Sequence, residues 1–282
     1  FNKKRCAPCI IYCCNNFLLL SNFYNPDDLN SLERKINKKT KMIFVENPGS
    51  NTFEFQDLSK IIKIAKKRKI ITAIDNTWGT PFLIKPLDIG FDMSISSGTK
   101  YLSGHSDVML GSLAVNKKVY ERVRFCNKLL GYRASPDDSY LVLRGLRTLD
   151  IRLKKHEENT KKIVNFLKKE KKIKEILYPH KKGSENYENW KKYYSGSTGL
   201  FSVVINSKNR NSIYKFVNSL KLFGIGQSWG GFESLVLYQS HVIQRVYKKY
   251  VRPNLHIVRF HIGLEDPKDL IEDLRKAIKK IK

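Results

Sequence analysis

From Lys41 onward the chain alternates short apolar runs with longer amphipathic stretches. Met42-Ile43-Phe44-Val45 closes on Glu46 and the turn Asn47-Pro48-Gly49, which predicts a buried strand and a turn. Asp57 stands where it would cap a helix, with Leu58, Ile61, Ile62 and Ala65 on one face and lysines on the other. Residues 70–74, 91–95 and 110–115 predict three further strands. Strand, helix, strand, with polar residues clustered just past the strand ends, is the signature of a largely parallel α/β sheet. Ligands of such sheets bind beyond the carboxyl ends of the strands. Residues 137–169 read as mostly helical, with a kink at Gly145. Residues 173–178, 199–205, 234–238 and 256–262 then read as strands separated by helical stretches. Asp266-Pro267 opens a last helix with Leu270, Ile271, Leu274 and Ile278 in one stripe and Lys279-Lys280 at its end. This change of pattern divides the chain near Gly145 into residues 1–145 and 146–282. There are no internal repeats.

No apolar run approaches the roughly 20 residues of a membrane-spanning helix, so no membrane partner is expected. With 41% hydrophobic residues in 282, the chain can build real cores. The net charge of +27 would attract a polyanion. The lysines fall in doublets spread over many segments, such as Lys66-Lys67, Lys161-Lys162 and Lys248-Lys249, which suggests solvated faces. A nucleic-acid role is therefore the minor reading. Four of the five cysteines (Cys6, Cys9, Cys13, Cys14) crowd the N-terminus. Secreted frameworks spread their cysteines along the chain, so a reducing, cytoplasmic setting is expected. Cys6-Ala7-Pro8-Cys9 has redox spacing without the surrounding pattern that spacing needs.

The segment Ser96-Ser97-Gly98-Thr99-Lys100-Tyr101 follows a predicted strand. Its hydroxyls and glycine amides suit a bound phosphate. Its lysine could be a phosphate partner or a Schiff-base amine. The spacing is not that of a P-loop, and surface loops rich in Ser, Thr, Gly and Lys are common. Asp75 follows the preceding strand and would sit on the same rim. An aspartate facing a pyridine nitrogen keeps that nitrogen protonated and makes the ring an electron sink; the plain alternative is a turn cap. Together the two segments point to a pyridoxal phosphate site. His105-Ser106-Asp107 contains the triad residue types, but adjacency in sequence is not triad geometry. Gly224-Ile225-Gly226 begins a dinucleotide fingerprint that Trp229 breaks. The histidines show no metal-ligand spacing, so no metal is expected.

Ile74-Asp75-Asn76-Thr77-Trp78 and Ser97-Gly98-Thr99-Lys100-Tyr101-Leu102-Ser103-Gly104-His105-Ser106-Asp107 resemble the Cys/Met-metabolism family of pyridoxal phosphate enzymes. Glu46-Asn47-Pro48-Gly49-Ser50 and Ser228-Trp229-Gly230-Gly231-Phe232-Glu233-Ser234 are more similar to its cystathionine β-lyase branch than to its γ-acting branches. Arg144 to Leu149 and Arg259 to Asp266 agree with that branch. The resemblance implies an aspartate aminotransferase-like α/β fold (fold type I), with a mostly parallel sheet and a smaller α/β C-terminal domain.

It also implies roles. Pyridoxal 5'-phosphate would be the cofactor and Lys100 its Schiff-base amine. Asp75 would hold the pyridinium nitrogen, and Ser97 and Thr99 the phosphate. Arg259, helped by Ser228, would clamp the substrate α-carboxylate; a structural ion pair is the plain alternative for Arg259. Trp229 would wall the pocket or pack as a core ring. The implied activity cleaves cystathionine to homocysteine, pyruvate and ammonia, as in methionine biosynthesis by transsulfuration. Cysteine desulfhydration and γ-chemistry are the alternatives within the family. The implied assembly is a homo-oligomer, a dimer of dimers. The resemblance runs from about Tyr24 to the C-terminus. The family's N-terminal glycine-containing phosphate loop, its ring-stacking tyrosine and its Tyr/Arg pair have no match here. The expectation is an N-terminally incomplete chain, with weakened cofactor binding and a catalytically impaired fragment as one outcome.

Overall fold

A computed structural model describes residues 21–179, 182, 186–239 and 253–282. Cys6, Cys9, Cys13 and Cys14 lie outside the described residues, as do His180 and His241. Two sheets organise the chain. In the first, β1 (Met42–Glu46), β2 (Ile71–Asp75) and β3 (Met93–Ser97) run parallel, and β4 (Gly111–Val115) pairs antiparallel with β3. The second holds β5 (Ile173–Leu177), β6 (Leu200–Asn206), β7 (Gly224–Ile225), β8 (Leu235–Tyr238) and β9 (Leu255–His261) in the order β5-β6-β9-β8-β7. Its pairings are antiparallel except β7 with β8.

The helices are α1 (Leu29–Lys35), α2 (Leu58–Lys67), α3 (Thr80–Leu83), α4 (Pro86–Ile89), α5 (Lys117–Leu130), α6 (Pro136–Leu146), α7 (Leu149–Leu167), α8 (Tyr187–Tyr193), α9 (Arg210–Ser219) and α10 (Pro267–Ile278). Local chemistry explains their starts. Asp57 accepts from the Lys60 N–H at 3.2 Å and opens α2, whose Leu58, Ile61, Ile62 and Ala65 are buried. Asp266 accepts from the Lys268 N–H at 2.7 Å ahead of Pro267 and opens α10. No helix among the described residues is long and apolar enough to cross a membrane.

The helical stretch expected over 137–169 is two helices, and Gly145 is not the kink. α6 ends at Leu146 and α7 starts at Leu149. Gly145 is a point of close approach instead. A Cβ on it would lie 2.3 Å from the Ser103 carbonyl oxygen and 2.4 Å from that of Leu102, both backbone atoms of the segment that follows Lys100. Gly145→Ala is expected to cost about 3 kcal/mol by overpacking. A thermal midpoint within a degree of the parent would refute that close contact.

β2, β3 and α5 meet at Asp92, which lies just ahead of β3. Its carboxylate accepts from the Thr72 N–H at 2.9 Å, the Asn116 amide at 3.0 Å and Lys118 Nζ at 3.3 Å. Burial alone would push this carboxyl up, but these donors and the Lys118 charge hold it below the usual aspartate value. A depressed carboxyl contributes stability above its unfolded-state pKa and loses it as pH falls through the folded value. Stability should therefore fall as the solution is acidified below about pH 4. Denaturation midpoints measured against pH should fall less steeply in Asp92→Asn, and equal slopes would count against this role.

Met109, Phe125, Leu129, Tyr132 and Ile151 are each more than 60% exposed. The exposed apolar surface is thus concentrated around β4, α5 and the helices that follow it.

Candidate active site

Parallel register brings the first residues of the site together. Asp75 is the last residue of β2 and pairs with Ile95, two residues before the end of β3 at Ser97. The Ser97 N–H donates to Thr77 Oγ1 at 2.9 Å, and the Thr77 N–H donates to Asp75 Oδ1 at 2.9 Å. The other Asp75 oxygen makes no hydrogen bond among the described residues. Asp75 and Ser97 thus end adjacent strands on the carboxyl rim expected to bind a ligand.

Beyond β3 the chain winds one tight turn over Gly98–Leu102, in which Lys100 leaves helical geometry (φ −90°, ψ −130°). The turn is pinned from both sides. The Gly98 N–H donates to the Leu110 carbonyl at 2.6 Å, and Thr99 Oγ1 accepts from the Leu110 N–H at 3.1 Å. A Cβ on Gly98 would meet Leu110 Cδ2 at 2.9 Å, so glycine is needed for this approach. Arg152, on α7 and only 6% exposed, donates to the carbonyls of Tyr101 at 2.8 Å and Gly145 at 2.7 Å. It places a positive charge where the turn and α6 both end, the favourable sign for a helix C-terminus.

The second sheet delivers the rest. Lys100 Nζ donates to Ser228 Oγ at 2.6 Å and lies 5.4 Å from the centre of the Trp229 ring. Ser228 thus bonds the amine directly. Trp229 packs as a core ring: it is 9% exposed, lies 5.5 Å from the Tyr101 ring, and has the amine 5.4 Å from its centre. Arg259, on β9, is 7% exposed. It donates to the Gln227 carbonyl at 2.6 Å, to Asn51 Oδ1 at 3.3 Å and to the Ser50 carbonyl at 3.4 Å. None of these acceptors is a carboxylate; the acid that acts on Arg259 is Glu46, through its charge. Burial pulls Arg259 down to about 10, opposed by the Glu46 charge; the guanidinium stays charged at neutral pH. Burial, then the nearby Arg259 charge, lowers the Lys100 amine below the usual lysine value.

Asn51 and His261 were missed in the sequence. Asn51 carries no motif beyond lying next to Ser50, and His261 shows its part only through contacts made across sheets. The triad types at 105–107 turn to other partners: His105 Nδ1 faces the Ser103 carbonyl, and Ser106 Oγ donates to Glu233.

The donor set fits pyridoxal phosphate. A desolvated amine, a carboxylate with a free oxygen, and two hydroxyls on one glycine-bearing turn share a rim, with a buried guanidinium beyond the amine. Asp75 would hold the ring nitrogen, Lys100 the aldehyde carbon, and Ser97 and Thr99 the phosphate. The Thr99 hydroxyl keeps its hydrogen free to donate while accepting from Leu110.

The sequence matches the family described as Cys/Met metabolism PLP-dependent enzyme over residues 6–279. That match reaches further toward the N-terminus than the motifs alone, into the stretch before Tyr24 that reads as unlike the family. The chain is 37% identical over 257 residues to the cystathionine beta-lyase MetC of Escherichia coli, covering 88% of this chain and 64% of that protein. It is 38% identical over 264 residues to an L-alanine/L-glutamate racemase of Wolbachia pipientis, covering 92% and 64%. The chain thus spans just under two thirds of these relatives' length. Among solved structures, the cystathionine gamma synthase of Xanthomonas oryzae in complex with aminoacrylate and cysteine superposes with a TM-score of 0.87 at 28% identity, covering 96% of this chain and 71% of that one. The cystathionine gamma-lyase of Lactobacillus plantarum complexed with L-serine gives 0.87 at 27%, covering 96% and 72%.

Proposed function

Because the chain belongs to the Cys/Met metabolism PLP-dependent enzyme family, we propose that its site performs carbon–sulfur β-elimination on cystathionine, giving homocysteine, pyruvate and ammonia. The observation that carries this reading is the meeting of the Lys100 amine, bonded to Ser228 Oγ at 2.6 Å, with the buried Arg259 guanidinium. Bound pyridoxal phosphate supplies an electron sink for the pair left when the substrate loses its α-proton.

The chain's own residues do the rest. Arg259 receives the substrate α-carboxylate; its planar fork matches that group in two hydrogen bonds. The Gln227 carbonyl and Asn51 hold the fork in place. Lys100 Nζ takes the α-proton, since its lowered pKa leaves more of it neutral near pH 7. Ser228 Oγ holds that amine in one orientation, and Trp229 keeps water from its far side. Asp75 keeps the proton on the cofactor's ring nitrogen.

The cystathionine beta-lyase relatives and the β-lyase-like runs at 46–50 and 228–234 support β- over γ-elimination. The racemase-named relative supports a second reading, proton removal and return at Cα without C–S cleavage. Both are tested by incubating the purified 282-residue chain with pyridoxal phosphate and cystathionine, or with L-alanine. Pyruvate and free thiol in equal amounts are expected. 2-Oxobutyrate would mean γ-chemistry, and D-alanine without pyruvate would mean racemisation. A chain that takes up no cofactor would be a catalytically impaired fragment.

A further inference from the structure

A buried hydrogen-bond chain runs behind Lys100 and joins the two sheets. Tyr101, the residue after Lys100, is fully buried, and its hydroxyl accepts from the Gly199 N–H at 3.1 Å. The same hydroxyl lies 3.5 Å from His261 Nδ1. On the other edge of that ring, His261 Nε2 lies 3.1 Å from both the Gly230 nitrogen and the Gly231 carbonyl oxygen. Gly230 (φ +90°) is pressed onto the lysine's own peptide: a Cβ there would come 2.8 Å from the Tyr101 nitrogen and 3.0 Å from the Lys100 carbonyl carbon.

The imidazole therefore touches the Lys100–Tyr101 segment on one side and the turn carrying Ser228 and Trp229 on the other. Each neutral tautomer can serve. With the proton on Nε2 it donates to Gly231 while Nδ1 accepts from Tyr101; with the proton on Nδ1, Nε2 accepts from Gly230. His261 is 1% exposed. Burial, the neighbouring His156 and the Arg259 and Lys100 charges outweigh its bond to the Gly231 carbonyl and hold it well below the usual histidine value, so one nitrogen remains an acceptor. β9 alternation places Arg259 and His261 on one face, so a single strand presents both the carboxylate clamp and this bridge.

We propose that His261 is a positioning residue: its ring bridges Tyr101 and the Gly230–Gly231 turn, and thereby holds Ser228 Oγ on the Lys100 amine. This deepens the function proposed above and rests on Lys100 being the reactive amine. The test reads that amine directly. In the folded chain without added cofactor, the pH midpoint of Lys100 modification by trinitrobenzenesulfonate is followed by peptide mass mapping. Arg259 is left in place throughout.

Ser228→Ala removes an acceptor from the ammonium form and should lower the midpoint by about half a unit or more. His261→Phe keeps ring volume without nitrogen atoms and should lower it in the same direction by a similar amount. The double variant should add nothing further, the mark of two residues acting through one contact. His261→Gln, which keeps an amide near the Nε2 position, should restore the parent midpoint. An unchanged midpoint in either single variant, additive effects in the double variant, or no rescue by glutamine overturns the proposal. If His261→Phe does not fold, His261→Asn, too short to span Tyr101 and Gly231, is read the same way. Because no turnover is measured, a chain that releases no pyruvate but shows this pattern defeats the lyase reading and leaves the positioning role standing.

Discussion

Lys100→Ala is expected to leave no measurable pyruvate release, a fall of at least about 10⁴-fold. The side chain is asked to do two things, and no neighbour can replace it in either. It is the amine that meets the cofactor aldehyde, and it is the base at the substrate Cα. The groups around its nitrogen are a hydroxyl (Ser228), an indole ring (Trp229) and a guanidinium (Arg259). None of them is a base at neutral pH. The variant should also lose the colour of covalently held cofactor while keeping its fold, because the Gly98–Leu102 turn is pinned by Leu110 and Arg152 rather than by the lysine tip. The check is the visible absorption of the loaded protein together with pyruvate release. If more than about one part in a hundred of the parent rate survives, another residue is the base and the assignment of Lys100 is wrong.

Arg259→Met should reduce kcat/KM for cystathionine by roughly 30-fold to several thousand-fold. That range corresponds to the ~2–5 kcal/mol cost of removing one partner from a buried charged pair. Most of the loss should appear in KM, since the carboxylate is bound in both ground and transition states. Arg259→Lys keeps the charge but not the fork that reaches Gln227 and Asn51 together, and should recover only part of the loss.

The methionine variant carries a second signature. Burial is the larger cause of the lowered Lys100 pKa and the Arg259 charge the smaller. Removing that positive charge raises the amine's pKa, so the neutral base forms only at higher pH. The acid limb of kcat/KM should therefore move upward. Unchanged KM together with an unmoved acid limb would place the substrate carboxylate elsewhere.

How much of this was legible in the chain differs from segment to segment. Strands β1 to β3 were readable as short apolar runs, and helices α2 and α10 as a buried stripe behind a capping aspartate; within the β1 run only Ile43 and Val45 are buried. α5 carries Val119, Val123, Cys126 and Leu130 at helical spacing, yet only Val119 is buried; that this apolar face stays uncovered could not be read from the sequence. β4 was readable as a strand, but its exposed face was not. β7 is two residues long, too short for any period to register. Gly145 looked like a helix breaker, since packing against Ser103 leaves no trace in local sequence.

By itself the sequence determined the order of the chemistry: a strand running into Asp75, a second closing just ahead of Ser96-Ser97, and a lysine two residues past Gly98. These are short-range relations, set by strand period and turn chemistry. Only the tertiary structure decided what faces the Lys100 amine, because Ser228 lies 128 positions away along the chain. It likewise decided that Arg259 donates to the Gln227 carbonyl and Asn51 and that His261 bridges two segments. Those facts depend on how the turn after β3 meets the 228–231 segment and β9. That meeting comes from burial summed over one core drawn from both halves of the chain, from Val45 and Ile74 to Trp190, Leu200 and Ile257, to which no single stretch of residues contributes enough to announce it.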